Sequence, residues 1–264
     1  MGNDQGLNVP QNETKVMEVM LECHDLCAWY GQAQILFNVH LNVKRGEVVA
    51  LMGRNGAGKS TTLKTLMGMT AKRSGTVTFL GQDQSHFEPH QAARRGLGFV
   101  PEDRRIFSEL TVLENLSVAR QGPRHHWHTT PPEQTLVQAP YWDFESIGAL
   151  FPNLATMPHR LGSQMSGGEQ KMLSVARSLM GNPWVLLLDE PSEGVSPLIV
   201  EKMGEMILSL KSQGLSILLS EQNIHFAKWV CDRAYVLEKG QIMASMSMAD
   251  LAQDQETQKN YLSV

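Results

Sequence analysis

The sequence predicts an α/β protein whose centre is a mostly parallel, doubly wound β-sheet, and three observations carry that expectation. Strand-like and helix-like segments alternate through the second half of the chain, the order that βαβ units require. Trp184-Val185-Leu186-Leu187-Leu188 is a continuous apolar run between Pro183 and Asp189, as expected of a parallel strand covered on both faces. A short apolar run, Val48 to Met52, leads into Gly53-Arg54-Asn55-Gly56-Ala57-Gly58-Lys59-Ser60, and a helix-forming stretch follows from Thr61. Strand, glycine-rich loop and helix in that order form the context in which G-x-x-x-x-G-K-[ST] holds phosphate.

Length and composition set the outer limits. A chain of 264 residues suffices for one large domain or two modest ones with a substantial core. Its net charge of −4 lacks the broad cationic footprint that a nucleic-acid backbone demands, so no nucleic-acid partner is expected. The strongly apolar runs are a few residues long, far short of the roughly 20 that a membrane-spanning helix needs. The first fourteen residues carry no Lys or Arg, so no secretory signal is expected and the chain is placed in the cytosol. Gly6 stands where an N-terminal acylation pattern wants Ser or Thr, and no lipid is expected. Cys23, Cys27 and Cys231 form no C-x-x-C pair, which fits unpaired thiols in a reducing compartment.

Taken in order, residues 1–16 read as a loose polar leader. Val16–Glu22 is the first expected strand, and Phe37–Val43 alternates apolar and polar residues as a half-buried strand does. Lys44-Arg45-Gly46-Glu47 turns the chain toward the strand that feeds the glycine-rich loop. Thr76–Leu80 alternates again between Ser74-Gly75 and Gly81-Gln82-Asp83. These early strands pair locally, so an antiparallel subsheet is expected beside the core. Pro89–Arg95 is a short helix, and Leu97–Val100 a buried strand ended by Pro101.

Thr111 and Glu114 have capping-box spacing and start a helix reaching about Ala119. Residues 121–142 are rich in Pro, His and Gln and read as a loop or insertion without assigned structure. Its His125, His126 and His128 read as surface histidines rather than metal ligands. Ser166 and Glu169 repeat the capping-box spacing ahead of a helical stripe of Met172, Leu173, Val175, Ala176, Leu179 and Met180. Ser196 and Pro197 open another helix, which Gly214 stops; Leu215–Ser220 is strand, Ile224–Val230 helix and Ala234–Glu238 strand.

The chemistry concentrates at two places. Gly53, Gly56 and Gly58 let the backbone turn tightly and aim several N–H groups at a phosphate seated on a helix N-terminus. Lys59 adds a cation there, and the Ser60 hydroxyl is suited to magnesium. Asp189 and Glu190 lie at the carboxyl end of the central strand, the edge where open α/β sheets bind ligands. Asp189 is suited to hold magnesium, directly or through water, and Glu190 to accept a proton from water attacking a γ-phosphate. Such a pair also occurs as a simple cap on the following turn.

The loop at 53–60, Ser166-Gly167-Gly168-Glu169-Gln170 ahead of a helix, and Leu186-Leu187-Leu188-Asp189-Glu190 resemble, in that order, the ATP-binding subunits of ATP-binding cassette (ABC) transporters. The resemblance covers about residues 17–245. It implies a P-loop NTPase (ABC ATPase) fold: a RecA-like, mostly parallel core sheet with an antiparallel β-subdomain over 17–103 and 178–264, and a helical signature subdomain over 104–177. It implies ATP and Mg2+ as ligands. Tyr30 would stack on adenine; Gly53, Arg54, Asn55, Gly56, Ala57, Gly58, Lys59, Ser60 and Thr61 would hold the phosphates. Magnesium would lie at Ser60, Asp189 and Glu102, with Glu190 and Gln222 in the catalytic roles. ATP would be clamped between two subunits arranged head to tail, with Ser166, Gly167, Gly168, Glu169 and Gln170 meeting the partner subunit's nucleotide.

Two positions depart from the general family pattern. Glu102 follows Pro101 where Gln is usual, and Gln222 stands where a phosphate-sensing His is usual. His225, three residues on, would face another part of its helix and reads as a surface residue. Pro101–Phe107, Met165–Gln170, Glu190-Pro191-Ser192-Glu193-Gly194 and Ser220–Asn223 together look like the branched-chain amino acid importer type. Urea and short-chain amide importers are the next reading, and a non-transport, ATP-dependent switch module is the reading from another class. The importer resemblance implies a second cassette subunit, two membrane permeases, a solute-binding protein outside, and a peripheral position on the cytoplasmic face of the membrane. Coupling to the permeases would fall on residues 104–177.

Overall fold

Strand β3 (Val48–Met52) is buried throughout, and its side chains divide between two cores. Val48, Ala50 and Met52 belong to one, Val49 and Leu51 to the other, because successive strand residues point to opposite faces. The computed structural model describes residues 18–127, 136–138 and 140–262; the expected leader, the first residues of the expected strand at Val16 and His128 lie outside them.

The antiparallel sheet comes first in the chain. It contains β1 (Val19–Tyr30), β2 (Ala33–Lys44), β4 (Lys72–Phe79) and β5 (Gln82–Asp83), in the order β2-β1-β4-β5. The expected first strand, Val16–Glu22, is thereby corrected: β1 runs on to Tyr30. Pairing shifts register between Cys23 and Leu26, where Asp25 takes a left-handed φ of 50°, and this irregularity breaks the alternation that sequence reading follows. Gly75 on β4 is needed beside it, since a Cβ there would lie 2.4 Å from the Asp25 carbonyl oxygen.

The second sheet has the order β12-β11-β3-β10-β9-β6. Its strands are β6 (Leu97–Val100), β9 (Val185–Asp189), β10 (Ser216–Glu221), β11 (Arg233–Glu238) and β12 (Gln241–Ser247), with β3 in the interior. All neighbours pair in parallel except β11 with β12. The mostly parallel sheet read from the Trp184–Leu188 run is therefore present, and that run lies in β9 between β10 and β6. The edge strand β12 escaped sequence reading although Ile242, Ala244 and Met246 alternate with exposed Gln241, Met243 and Ser245.

Helix α1 (Lys59–Leu66) sends Leu63 and Leu66 into the core beneath the antiparallel sheet, with Ala92 of α2 (Pro89–Arg95). On the other face pack α3 (Val112–Ala119), α4 (Phe144–Leu150), α5 (Pro152–Ala155), α6 (Gly167–Leu179), α7 (Pro197–Ser212), α8 (Ile224–Val230), α9 (Met248–Gln253) and α10 (Gln255–Tyr261). Sequence periodicity found α1, α2, α3, α6, α7 and α8 but not α4, α5, α9 and α10. Residues 121–142, read as a loop or insertion without assigned structure, contain a small antiparallel strand pair, β7 (His125–Trp127) and β8 (Leu136–Gln138). Cys23, Cys27 and Cys231 are buried free thiols, and burial pushes the Cys23 thiol up to about 12.

Candidate active site

The carboxyl edge of the parallel sheet gathers the chemistry. Residues 53–58 leave β3 and close on α1, whose N-cap Gly58 has φ 109°, a conformation that favours glycine. Gly53 is demanded by a close approach instead: a Cβ there would lie 2.3 Å from the Leu237 carbonyl oxygen. An open cavity of about 440 Å³ lies over this loop. Tyr30, Ile35, Asn55, Gly56, Gly58, Lys59, Ser60 and Thr61 line it together with Glu102, Glu190 and Glu193. Tyr30, at the end of β1, is 51 % exposed, so its ring is open to a planar ligand. Arg54 and Ala57 line an adjoining hollow, and Arg54 donates to the Lys259 carbonyl at 3.2 Å.

Lys59 is only 4 % exposed, and its Nζ donates to the Gly53 and Arg54 carbonyls at 2.9 and 3.2 Å. It also forms an ion pair with Glu190 Oε1 at 3.0 Å. Glu190 is 5 % exposed and non-glycine, yet its φ is +46°, a strain on the order of 1–3 kcal/mol that the surroundings must offset. Ser60 Oγ donates to Asp189 Oδ1 at 2.8 Å, and Ser220 Oγ donates to the same oxygen at 2.7 Å. Ser220 Oγ in turn accepts from the Glu190 N–H at 3.0 Å. One buried hydroxyl thus fixes both acids, a role with no motif to announce it in sequence.

Two further buried charges were missed for the same reason. Glu221 accepts from the N–H groups of Ser192, Gln222 and Asn223 at 3.0–3.1 Å. Burial raises its pKa, and those hydrogen bonds oppose the rise. Lys171 on α6 donates to the Glu190, Asp189 and Glu102 carbonyls. Burial lowers its pKa, with Asp189 and Glu102 opposing.

Not every expected residue reaches the cavity. Gln222 turns its amide to Glu193 Oε2 at 3.3 Å, and Gln222 is not among the cavity-lining residues. His225 is exposed on α8. Ser166, Gly167, Gly168, Glu169 and Gln170 line no part of the cavity either. Ser166 caps α6, accepting from the Glu169 N–H at 3.3 Å while its own N–H donates to Glu169 Oε2 at 2.7 Å. Those bonds from Ser166 hold the Glu169 carboxyl below its ordinary range. Gln170 is engaged within its own chain, donating to the Gly162 carbonyl and accepting from Arg104. At this helix end Ser166 is exposed, beside a dipole that favours an anion.

The donor set at Ser60 and Asp189 is a hydroxyl and a carboxylate, the hard oxygens that suit magnesium. The glycine-bearing loop and the buried Lys59 meet at one cavity, a combination that suits a polyphosphate. A carboxylate with its own backbone anchored is available at Glu190.

A family model described as ABC transporter matches residues 36–193, well over half of the chain. The chain is 38 % identical over 243 residues to a high-affinity branched-chain amino acid transport ATP-binding protein, BraG, of Pseudomonas aeruginosa, covering 92 % of this chain and 99 % of that one. It is 32 % identical, over 92 % of its length and 97 % of the relative's, to a lipopolysaccharide export system ATP-binding protein, LptB, of Haemophilus influenzae. Among solved structures, an ATP-binding cassette of an ABC transporter in its ADP conformation matches with a TM-score of 0.73 at 25 % identity, covering 91 % of this chain and 97 % of that one. With the glycine-rich loop, the acid pair and the capped glycine turn all in one P-loop NTPase fold, the chain belongs to the ABC transporter family as an ATP-binding and ATP-hydrolysing subunit.

Proposed function

We propose that this subunit drives import of branched-chain or related hydrophobic amino acids. Its identity to BraG supports the substrate class. The observation that carries the ATPase mechanism is the meeting of Lys59, Ser60, Asp189 and Glu190 within hydrogen-bonding distance at one sheet edge. In this reading the loop N–H groups and Lys59 hold the ATP phosphates, and Tyr30 covers the adenine. Ser60 and Asp189, with Glu102 at the cavity wall, would hold magnesium, which when bound neutralises phosphate charge. Glu190 takes the proton of the attacking water, and Gln222, outside the cavity, acts through Glu193, which lines it.

Two such subunits close head to tail. The signature turn at Ser166–Gln170 lies away from its own cavity, which supports its use on the partner subunit's nucleotide. Closure then depends on a phosphate that hydrolysis removes. The domain division follows: core over 17–103 and 178–264, signature subdomain over 104–177. Two permeases dock from the membrane side, which puts the subunit on the cytoplasmic face, with a solute-binding protein outside. Residues of 104–177 are the coupling segment; an open groove of about 490 Å³ is lined by its Ala119 and Arg177 and by Met67 and Phe99 of the core.

The identity to LptB favours a second reading, export of a lipid-linked cargo. Deleting the gene and measuring uptake of labelled leucine, isoleucine and valine separates the two. Loss of uptake, restored by the wild-type gene and not by Glu190→Gln, is the expected result. Normal uptake with a defective outer surface would overturn the import reading.

A further inference from the structure

We infer that Lys171 is a positioning residue of the ATPase centre, whose ammonium sets the backbone of the Asp189-Glu190 turn and ties it to the signature helix and to the loop carrying Glu102. The inference rests on the reading of Glu190 as the group that takes the proton from water.

Lys171 lies in the second turn of α6, beyond the cap residue Ser166. It is 2 % exposed, where lysine is almost never fully buried without a partner. Its Nζ donates to the Glu190 carbonyl at 3.0 Å and to the Asp189 and Glu102 carbonyls at 3.4 Å each. An ammonium has three donors, and all three reach backbone carbonyls, drawn from two separate segments of chain. What this charge holds is therefore the path of the main chain.

That path decides where the Glu190 carboxylate goes. Its left-handed φ of +46° departs from the conformation that most residues adopt. The N–H of Glu190 is held by Ser220, and its carbonyl accepts from Glu193 within the following turn and from Lys171. Through Lys171, a displacement of α6 acts on the Glu190 and Glu102 carbonyls together. The N-terminal end of the same helix carries Ser166, proposed to meet the partner subunit's nucleotide. A single helix thus presents one residue to the partner's phosphate and another to the acid of its own cavity, so that seating a nucleotide in one site adjusts the proton acceptor of the other.

The test uses the purified full chain. Lys171→Met keeps an unbranched apolar stem and removes every donor. Its kcat for ATP hydrolysis is expected to fall about 10- to 100-fold, the effect of a small misplacement of a reacting group. The Kd for a fluorescent ATP analogue stays within about 2-fold, because an interaction that acts on turnover and not on ground-state binding is lost. Lys171→Gln, whose amide retains two donors, is expected to show intermediate kcat at the same affinity. Wild-type turnover in Lys171→Met overturns the inference, and so does a loss of affinity in step with turnover. Where Lys171→Met fails to fold, Lys171→Gln decides: reduced kcat at unchanged Kd supports the inference, and wild-type kcat or a parallel loss of affinity overturns it. Glu190→Gln alone tests the parent reading separately, since its turnover is expected to collapse with Lys171 intact.

Discussion

Lys59 and Glu190 form a buried ion pair, Nζ to Oε1 at 3.0 Å, with side chains 3 % and 7 % exposed. The cation proposed to grip the terminal phosphate is held by the carboxylate proposed to activate water. A phosphate at Lys59 is expected to compete with Glu190 for this ammonium, whose other contacts are the Gly53 and Arg54 carbonyls, so that binding frees the acid for its proposed role.

Glu190→Gln should therefore do two things at once. Turnover falls by about 100-fold or more, the range for losing a general base. ATP affinity rises about 5-fold, corresponding to roughly 1 kcal/mol from weakening the competing contact. Calorimetry with ATP measures the second effect, and unchanged or weaker binding would count against the competition.

Lys59→Ala should lose ATP affinity outright. It should also destabilise the protein by about 3–5 kcal/mol, because a buried carboxylate is left without its partner. Combining a Lys59 substitution with Glu190→Gln removes both charges and is expected to recover most of that loss in urea denaturation. Additive losses in the double variant would mean that the pair contributes nothing as a pair.

Ser166→Ala should cost about 1 kcal/mol through the lost cap on α6. Its capping partner gives a pH signature. Because Ser166 lowers the Glu169 pKa below the ordinary value of 4.5, the unfolded chain binds the proton first as pH falls. The contribution is present above about 4.5 and is lost as pH falls through the lowered folded value. Glu169→Gln should flatten the stability curve over that acid window, and an unaltered acid limb would remove the assignment.

Gly53→Ala and Gly56→Ala separate two reasons for glycine in the phosphate loop. At Gly53 a Cβ meets the Leu237 carbonyl oxygen at 2.3 Å, whereas at Gly56 nothing lies within 4 Å and φ is +81°. The first should cost more than about 2 kcal/mol through a clash with backbone, the second about 1 kcal/mol through conformational strain. Equal melting temperatures for the two variants would contradict this difference.

Much of this architecture is legible in the sequence where a pattern repeats or a spacing is fixed. The run Trp184–Leu188 is apolar at every position, α6 announces its start through Ser166 and Glu169, and the loop at 53–60 is spaced by its glycines. Ser60 and Glu190 were legible from their motifs, and Tyr30 and Glu102 only through the family resemblance; all four line the cavity. Ser220, Glu221 and Lys171 were not, since each acts by holding another residue's backbone or side chain, and such contacts depend on which segments the fold brings together. The continuation of β1 through Asp25 and the pairing of β12 were hidden by irregular register and by an edge with little burial.

Strand β3 supplies side chains alternately to both hydrophobic compartments and then runs without interruption into the phosphate loop. It behaves as a shared partition wall. Repacking on either side, whether under the antiparallel sheet or among the helices, reaches the nucleotide through the same five residues. Leu41 lies in one compartment and Met206 in the other, so substitutions at either are expected to reach the loop at 53–60 through this shared wall.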